Sequence, residues 1–206
     1  MTKPGFAFWY DFASTYSYLA AFSVEETAAR AGATVEWRPF LLGPIFAAQG
    51  WRDSPFNLYP AKGAYMWRDM ERLCERHGLP WKRPSAFPRH SVAAARVTLA
   101  LGPADRAAFT RAVYAANFAQ DLDISDARVL GECLESIGQP AAEVLLRSGS
   151  TEVKDALRAQ TAQAQAMGIF GAPTFTVGDE VFWGQDRLED ALAFLARPCK
   201  GAGGGQ

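Results

Sequence analysis

The stretch that decides the fold is Phe6 to Phe12, FAFWYDF, an apolar and aromatic run broken only by Asp11. A continuous apolar segment of that length predicts a strand covered on both faces, as in the middle of a parallel sheet. Ala13 and Ser14 separate it from Thr15 to Ala31 (TYSYLAAFSVEETAARA), which has helical composition. Gly32 follows, where a helix end favours a left-handed backbone. Thr34 to Phe40 (TVEWRPF) then alternates apolar and polar residues as a strand does. The order strand, helix, strand predicts a right-handed parallel crossover.

Outward from this unit the pattern changes. From about Ser54 to Gly168 the chain reads as helices with no convincing strand. Met66, Met70, Leu73 and Cys74 make one apolar stripe. Pro103 opens a helix that runs toward Phe118, Ser125 is the expected N-cap of the next, and Gly138 its end. A short helix follows Pro140, and another spans Ser150 to Met167. Strand character returns in Thr174 to Val177 (TFTV) and Glu180 to Trp183 (EVFW), with Gly178-Asp179 between them as a tight hairpin turn. Gln185 to Ala196 is the expected last helix, stopped by Pro198. The expected architecture is α/β: a thioredoxin-like fold with an inserted all-helical domain. Residues 1–50 and 168–199 form the first part, 51–167 the insertion and 200–206 a glycine-rich flexible tail.

Composition narrows the function classes. Apolar residues make up 49% and charged residues 21% of the 206, and the formal net charge is -1, so no electrostatic attraction to nucleic acid is expected. No apolar run has the length of about 20 residues that a membrane helix needs. The strand-like start leaves no room for a signal peptide, which points to the cytoplasm. Cys74, Cys133 and Cys199 form no C-x-x-C pair and match no zinc spacing. Cys74 and Cys133 read as buried small side chains and Cys199 as a free thiol in the tail. With His77 and His90 the only histidines, a metal site is not expected.

The residues that could carry chemistry stand at element ends. Ser14 lies where the buried strand meets the first helix. A serine there caps the helix, a contribution of about 1 kcal/mol. The same geometry favours an anion, because free N–H groups and the helix dipole point at it. A thiol with an ordinary pKa of about 8.5 would ionise more readily there. Ala172-Pro173-Thr174 comes second. A trans proline marking a strand start is the commoner form, whereas a cis bond would leave the Ala172 backbone free to pair with an extended peptide. Third is Trp183-Gly184-Gln185-Asp186-Arg187, where helix N–H groups suit a carboxylate and Asp186 either caps the helix or accepts a bond from an ammonium group. Asn57 and Lys62 precede the Met66 stripe, and Asp69 and Arg72 have the spacing of a surface pair.

YDFASTYSYLA (Tyr10 to Ala20), FGAPTFTVGDEVFWGQDRL (Phe170 to Leu188) and the N-x-x-P-x-K-x-x-Y-x-x-x-D-x-x-R run (Asn57 to Arg72) resemble 2-hydroxychromene-2-carboxylate isomerases. These are relatives of the kappa-class glutathione transferases and of DsbA-type oxidoreductases. The resemblance spans about Phe6 to Leu195, and the late motif is its most specific part. It implies that Ser14 contacts the sulfur of a bound glutathione. It also implies that Ala172, before a cis Pro173, binds the glutathione backbone and that Asp186, with Gln185 and Arg187, meets the γ-glutamyl end. Asn57 and Lys62 are implied to lie near substrate or glutathione, and with Arg72 they are the candidates to hold the substrate. Thr15 stands where the family commonly has proline. Serine at position 14, instead of cysteine, argues against disulfide exchange.

The activity so implied is glutathione-dependent isomerisation of an aromatic substrate, with glutathione regenerated and the chain a homodimer. A kappa-type transferase or peroxidase acting on other electrophiles shares the site. A non-catalytic thiol- or peptide-binding module is the third reading.

Overall fold

Phe6–Tyr10 forms β1, and all five of its residues are buried. The computed structural model describes residues 5–197, so Cys199 and the tail at 200–206 lie outside the described residues. β1 stops at Tyr10, short of Phe12, because the next residue, Asp11, turns its carboxylate onto backbone N–H groups. β1 pairs in parallel with β2 (Val35–Pro39), Phe8 opposite Trp37. It pairs antiparallel with β3 (Thr174–Val177), Phe8 opposite Phe175, and β3 pairs with β4 (Glu180–Trp183). The sheet order is β2-β1-β3-β4, which puts the apolar run in the interior.

Alternation along β1 divides two cores. Phe6, Phe8 and Tyr10 face one side, where the Phe8 ring lies 4.9 Å from Tyr10 and 5.5 Å from Phe175. Ala7 and Trp9 face the other, against Phe40, Ile45, Ala164 and Ile169. Burying each of these large rings stabilises the fold by about 1.5–3 kcal/mol. The polar ends are matched: the Trp9 indole donates to Thr176 Oγ1 at 3.0 Å, and the Tyr10 hydroxyl lies 2.8 Å from that of Thr110.

α1 spans Thr15–Arg30, and α2 (Leu42–Ala48) follows β2. α2 was not expected, since Gly43-Pro44 hides a short helix that one residue, Ile45, anchors. α3 (Pro55–Leu58) and α4 (Pro60–His77) come next, and α4 buries the stripe of Met66, Met70, Leu73 and Cys74. α5 (Val92–Ala100), α6 (Pro103–Phe118), α7 (Ala127–Ser136), α8 (Ala141–Ser148) and α9 (Thr151–Ala166) complete the helical part. Two boundaries differ from expectation. The cap of α7 is Asp126, which accepts from Arg128 N, because Ser125 is held by Asp123. Gln185–Arg187 is a 3-10 turn, and α10 covers only Leu188–Leu195.

The helical part is fastened to the end of β1. The Tyr114 hydroxyl donates to the Asp11 carbonyl at 2.9 Å, and the Asn117 amide to that of Phe12 at 3.0 Å. Nearby, buried Arg89 donates to Leu122 O, Asn117 Oδ1 and Asp121, closing the stretch between α4 and α5 onto the turn after α6. Hydrogen bonds from Ser85, backbone first, together with Arg89 hold the Asp121 carboxyl at about 2. Cys74 and Cys133 are buried and unpaired, and burial pushes both thiols up to about 11. No helix among the described residues is long and apolar enough to cross a membrane.

Candidate active site

Ser14 is the N-cap of α1, with extended backbone angles. Its hydroxyl oxygen accepts from Ser17 N at 3.2 Å and donates its proton to the Ala172 carbonyl at 2.9 Å, across 158 residues of chain. Capping and site geometry are thus met by one side chain. The N–H groups of Thr15 and Tyr16 have no acceptor among the described residues, as a helix start leaves them. These groups and the helix dipole favour a negative charge beside Ser14.

The Ala172-Pro173 peptide is cis. Ala172 N–H has no acceptor among the described residues, so its edge can receive an extended ligand. The Pro173 carbonyl accepts from Gly184 N at 2.9 Å, which ties this loop to the turn after β4. Gly184 has φ +118, and a Cβ there would meet Asp186 Oδ1 at 2.5 Å, so the turn needs glycine. Past it, Gln185 and Asp186 reach the same cleft as Ser14. The Asp186 carboxylate is exposed and pairs with Arg187 at 2.8 Å; Arg187 also holds Asp190 at 2.9 Å.

The cleft between these segments and the α2–α4 wall has a volume of about 1560 Å³. That exceeds the usual 300–1,000 Å³ of a single small-ligand pocket. Lys62 lines it, with its ammonium 4.8 Å from the Tyr59 ring centre. Asn57 and Arg72 do not line it. The Asn57 amide donates to both Asp53 oxygens and to the Phe87 carbonyl, each at 3.1 Å, so it braces two residues that do. Arg72 turns back to Arg68 O and the Tyr65 ring. Asp69 does not form the expected pair with Arg72: it accepts the Tyr16 hydroxyl at 3.0 Å and faces the cleft. Burial and the Asp69 carboxylate push the Tyr16 hydroxyl up from its ordinary range.

Asp11 was overlooked, although it is the only charge in the run that decides the fold. Only 3% exposed, it lines the same cleft as Ser14. Its oxygens accept from Ala13 N at 2.9 Å and Leu42 N at 2.7 Å. Burial pushes its carboxyl up, opposed by these bonds and one from Ser91. Three segments therefore converge on one carboxylate.

Thr15 has a different character. It is 1% exposed, and its hydroxyl has no hydrogen-bond partner among the described residues. An orphaned buried hydroxyl costs about 1–3 kcal/mol. Thr15→Val keeps the shape and removes the hydroxyl, so it should raise stability by about 1 kcal/mol in urea unfolding. A loss of stability would show that the hydroxyl is bonded in solution.

A helix start with free N–H groups, a cis-proline edge and a helical insertion on one four-stranded sheet define a class. Residues 7–196 match the DSBA-like thioredoxin domain, and the chain belongs to that family. A 2-hydroxychromene-2-carboxylate isomerase of Sphingobium xenophagum is 31% identical over 196 residues, covering 95% of this chain and 99% of that protein. Glutathione s-transferase kappa 2 of Caenorhabditis elegans is 25% identical, covering 94% and 92%. A solved structure of a 2-hydroxychromene-2-carboxylate isomerase matches with a TM-score of 0.83 at 26% identity, covering 93% and 96%.

Proposed function

We propose that this protein is a glutathione-dependent isomerase acting on a small aromatic substrate of the 2-hydroxychromene-2-carboxylate type. The observation that carries the reading is the Ser14 hydroxyl at the start of α1, 2.9 Å from the Ala172 carbonyl beside a cis proline. The residues fit glutathione: a hydroxyl donor and two free N–H groups for the thiolate, an unpaired backbone N–H at Ala172 for the peptide, and the exposed Asp186 carboxylate for the γ-glutamyl ammonium. When bound, glutathione supplies a thiolate that adds to a conjugated substrate and later leaves it, so that isomerisation consumes none.

The chain's own residues do the rest. Ser14 turns its proton from Ala172 to the sulfur and holds the negative charge. Arg187 steadies Asp186 through its paired carboxylates, and Gln185 flanks it in the same turn. Pro173 holds the Gly184 amide and so fixes the distance between the two halves of the cofactor site. Lys62, one of the cations that line the cleft, takes the substrate's carboxylate. Asn57 acts on the substrate side through Asp53 and Phe87, and Arg72 lies outside the cleft.

Incubation with the hydroxychromene substrate, with and without glutathione, tests the reading. The ultraviolet spectrum of trans-o-hydroxybenzylidenepyruvate should appear only with glutathione, whose thiol titre should stay constant. Thiol lost in step with product would instead identify a kappa-type transferase, and no reaction with any electrophile a binding module.

A further inference from the structure

We infer that Trp183 is the specificity-determining ledge of this cleft, on which the flat aromatic part of the second ligand stacks beside the thiolate position. This rests on the two-ligand reading of the cleft given above. Trp183 is 54% exposed, unusual for the largest apolar side chain, and it lines the cleft. On β4 it shares a face with Val181, which packs into the second core; Trp183 continues that face past the end of the core.

The backbone beneath is shaped for it. A Cβ on Gly171 would meet the indole Nε1 at 2.3 Å and Cε2 at 3.0 Å, so the ring lies directly against a residue that has no side chain. Phe170 supports the indole from the side, with ring centres 4.8 Å apart and planes tilted by 60°. Gly171 adjoins Ala172, whose carbonyl holds Ser14, so a ring lying on the indole sits next to the proposed sulfur position. An exposed indole held rigid offers a planar ligand stacking at little entropic cost.

The occupant is a planar aromatic carboxylate, because the same cleft is lined by the cations Lys62 and Arg52. Naphthalene-2-carboxylate, which cannot react, is the probe, with cyclohexanecarboxylate as the non-planar control. Calorimetric binding to wild type, Trp183→Ala, Trp183→Phe and Gly171→Ala would be compared, and glutathione binding measured separately. Trp183→Ala should weaken naphthoate binding about tenfold, and Trp183→Phe by less than about threefold, as expected for loss or retention of a stacking face. Gly171→Ala should resemble Trp183→Ala, since it displaces the indole without removing it. Cyclohexanecarboxylate should be indifferent to all three changes.

Equal naphthoate binding by wild type and Trp183→Ala would overturn the inference. So would a wild-type dimer that Trp183→Ala dissociates while naphthoate binding is unchanged. Trp183-dependent naphthoate binding without any glutathione binding would sustain the ledge and remove the cofactor reading.

Discussion

Ser14→Ala is expected to lower turnover about 100-fold, the usual loss when one preorganised donor to a developing or held negative charge is removed. Glutathione affinity should stay within a few fold, because the free Ala172 N–H and the Asp186 turn remain when the bond from the hydroxyl to the Ala172 carbonyl is lost. The thiol of bound glutathione, followed by its thiolate absorbance, should titrate at higher pH in the variant. A loss in turnover without that displacement would mean that alanine acts by loosening α1, whose cap it also removes. Unchanged turnover would dismiss the role assigned to Ser14. The helix dipole and the N–H groups of Thr15 and Tyr16 remain in the variant, so activity should not vanish.

The second large effect is on stability. Asp11→Ala orphans the N–H groups of Ala13 and Leu42 and the Ser91 hydroxyl, and should cost about 2–4 kcal/mol in urea unfolding. The three partners belong to the approach to α1, the start of α2 and the start of α5, so this part of the cleft lining should loosen with the fold. Asp11→Asn keeps one acceptor and should cost less. Burial raises the folded-state pKa of Asp11 above its ordinary 3.8, so the folded protein binds the proton more tightly than the unfolded chain. Stability from this group is then greatest at low pH and declines as pH rises above 3.8. The gap between wild type and Asp11→Asn should therefore narrow between pH 4 and pH 7. A gap that widens would mean that hydrogen bonds outweigh burial at this carboxyl.

Much of this was legible in the chain. FAFWYDF announced a strand covered on both faces, and β1 is buried throughout in the middle of the sheet. The hairpin TFTVGDEVFW and the stripe on α4 were equally readable, because apolar period and turn residues are local signals. Helix α2 escaped because seven residues with Gly43-Pro44 carry no period. The cap of α7 is Asp126 and not the expected Ser125, because both residue types suit the position and only the competing bond to Asp123 separates them.

The site divides along the same line. Ser14, Ala172, Pro173 and Asp186 could be named from motifs, since each stands at a strand or helix end that the pattern already marked. Asp11, the Tyr16–Asp69 bond and the Trp183 ledge could not be assigned their places, because their partners are remote in the chain. Asn57 and Arg72 show the reverse: a motif named them, while their own hydrogen bonds turn Asn57 toward Asp53 and Phe87 and Arg72 away from the cleft.

By itself, then, the sequence determined the strands and most of the helices, the crossover unit and the absence of a redox cysteine at position 14, because these follow from the order of neighbouring residues. Only the tertiary structure decided which side chains meet. The bond from Ser14 to Ala172 closes 158 residues, and the convergence on Asp11 joins three separate segments. Such contacts are set by how the sheet orders its strands and by what the buried polar groups must find as partners.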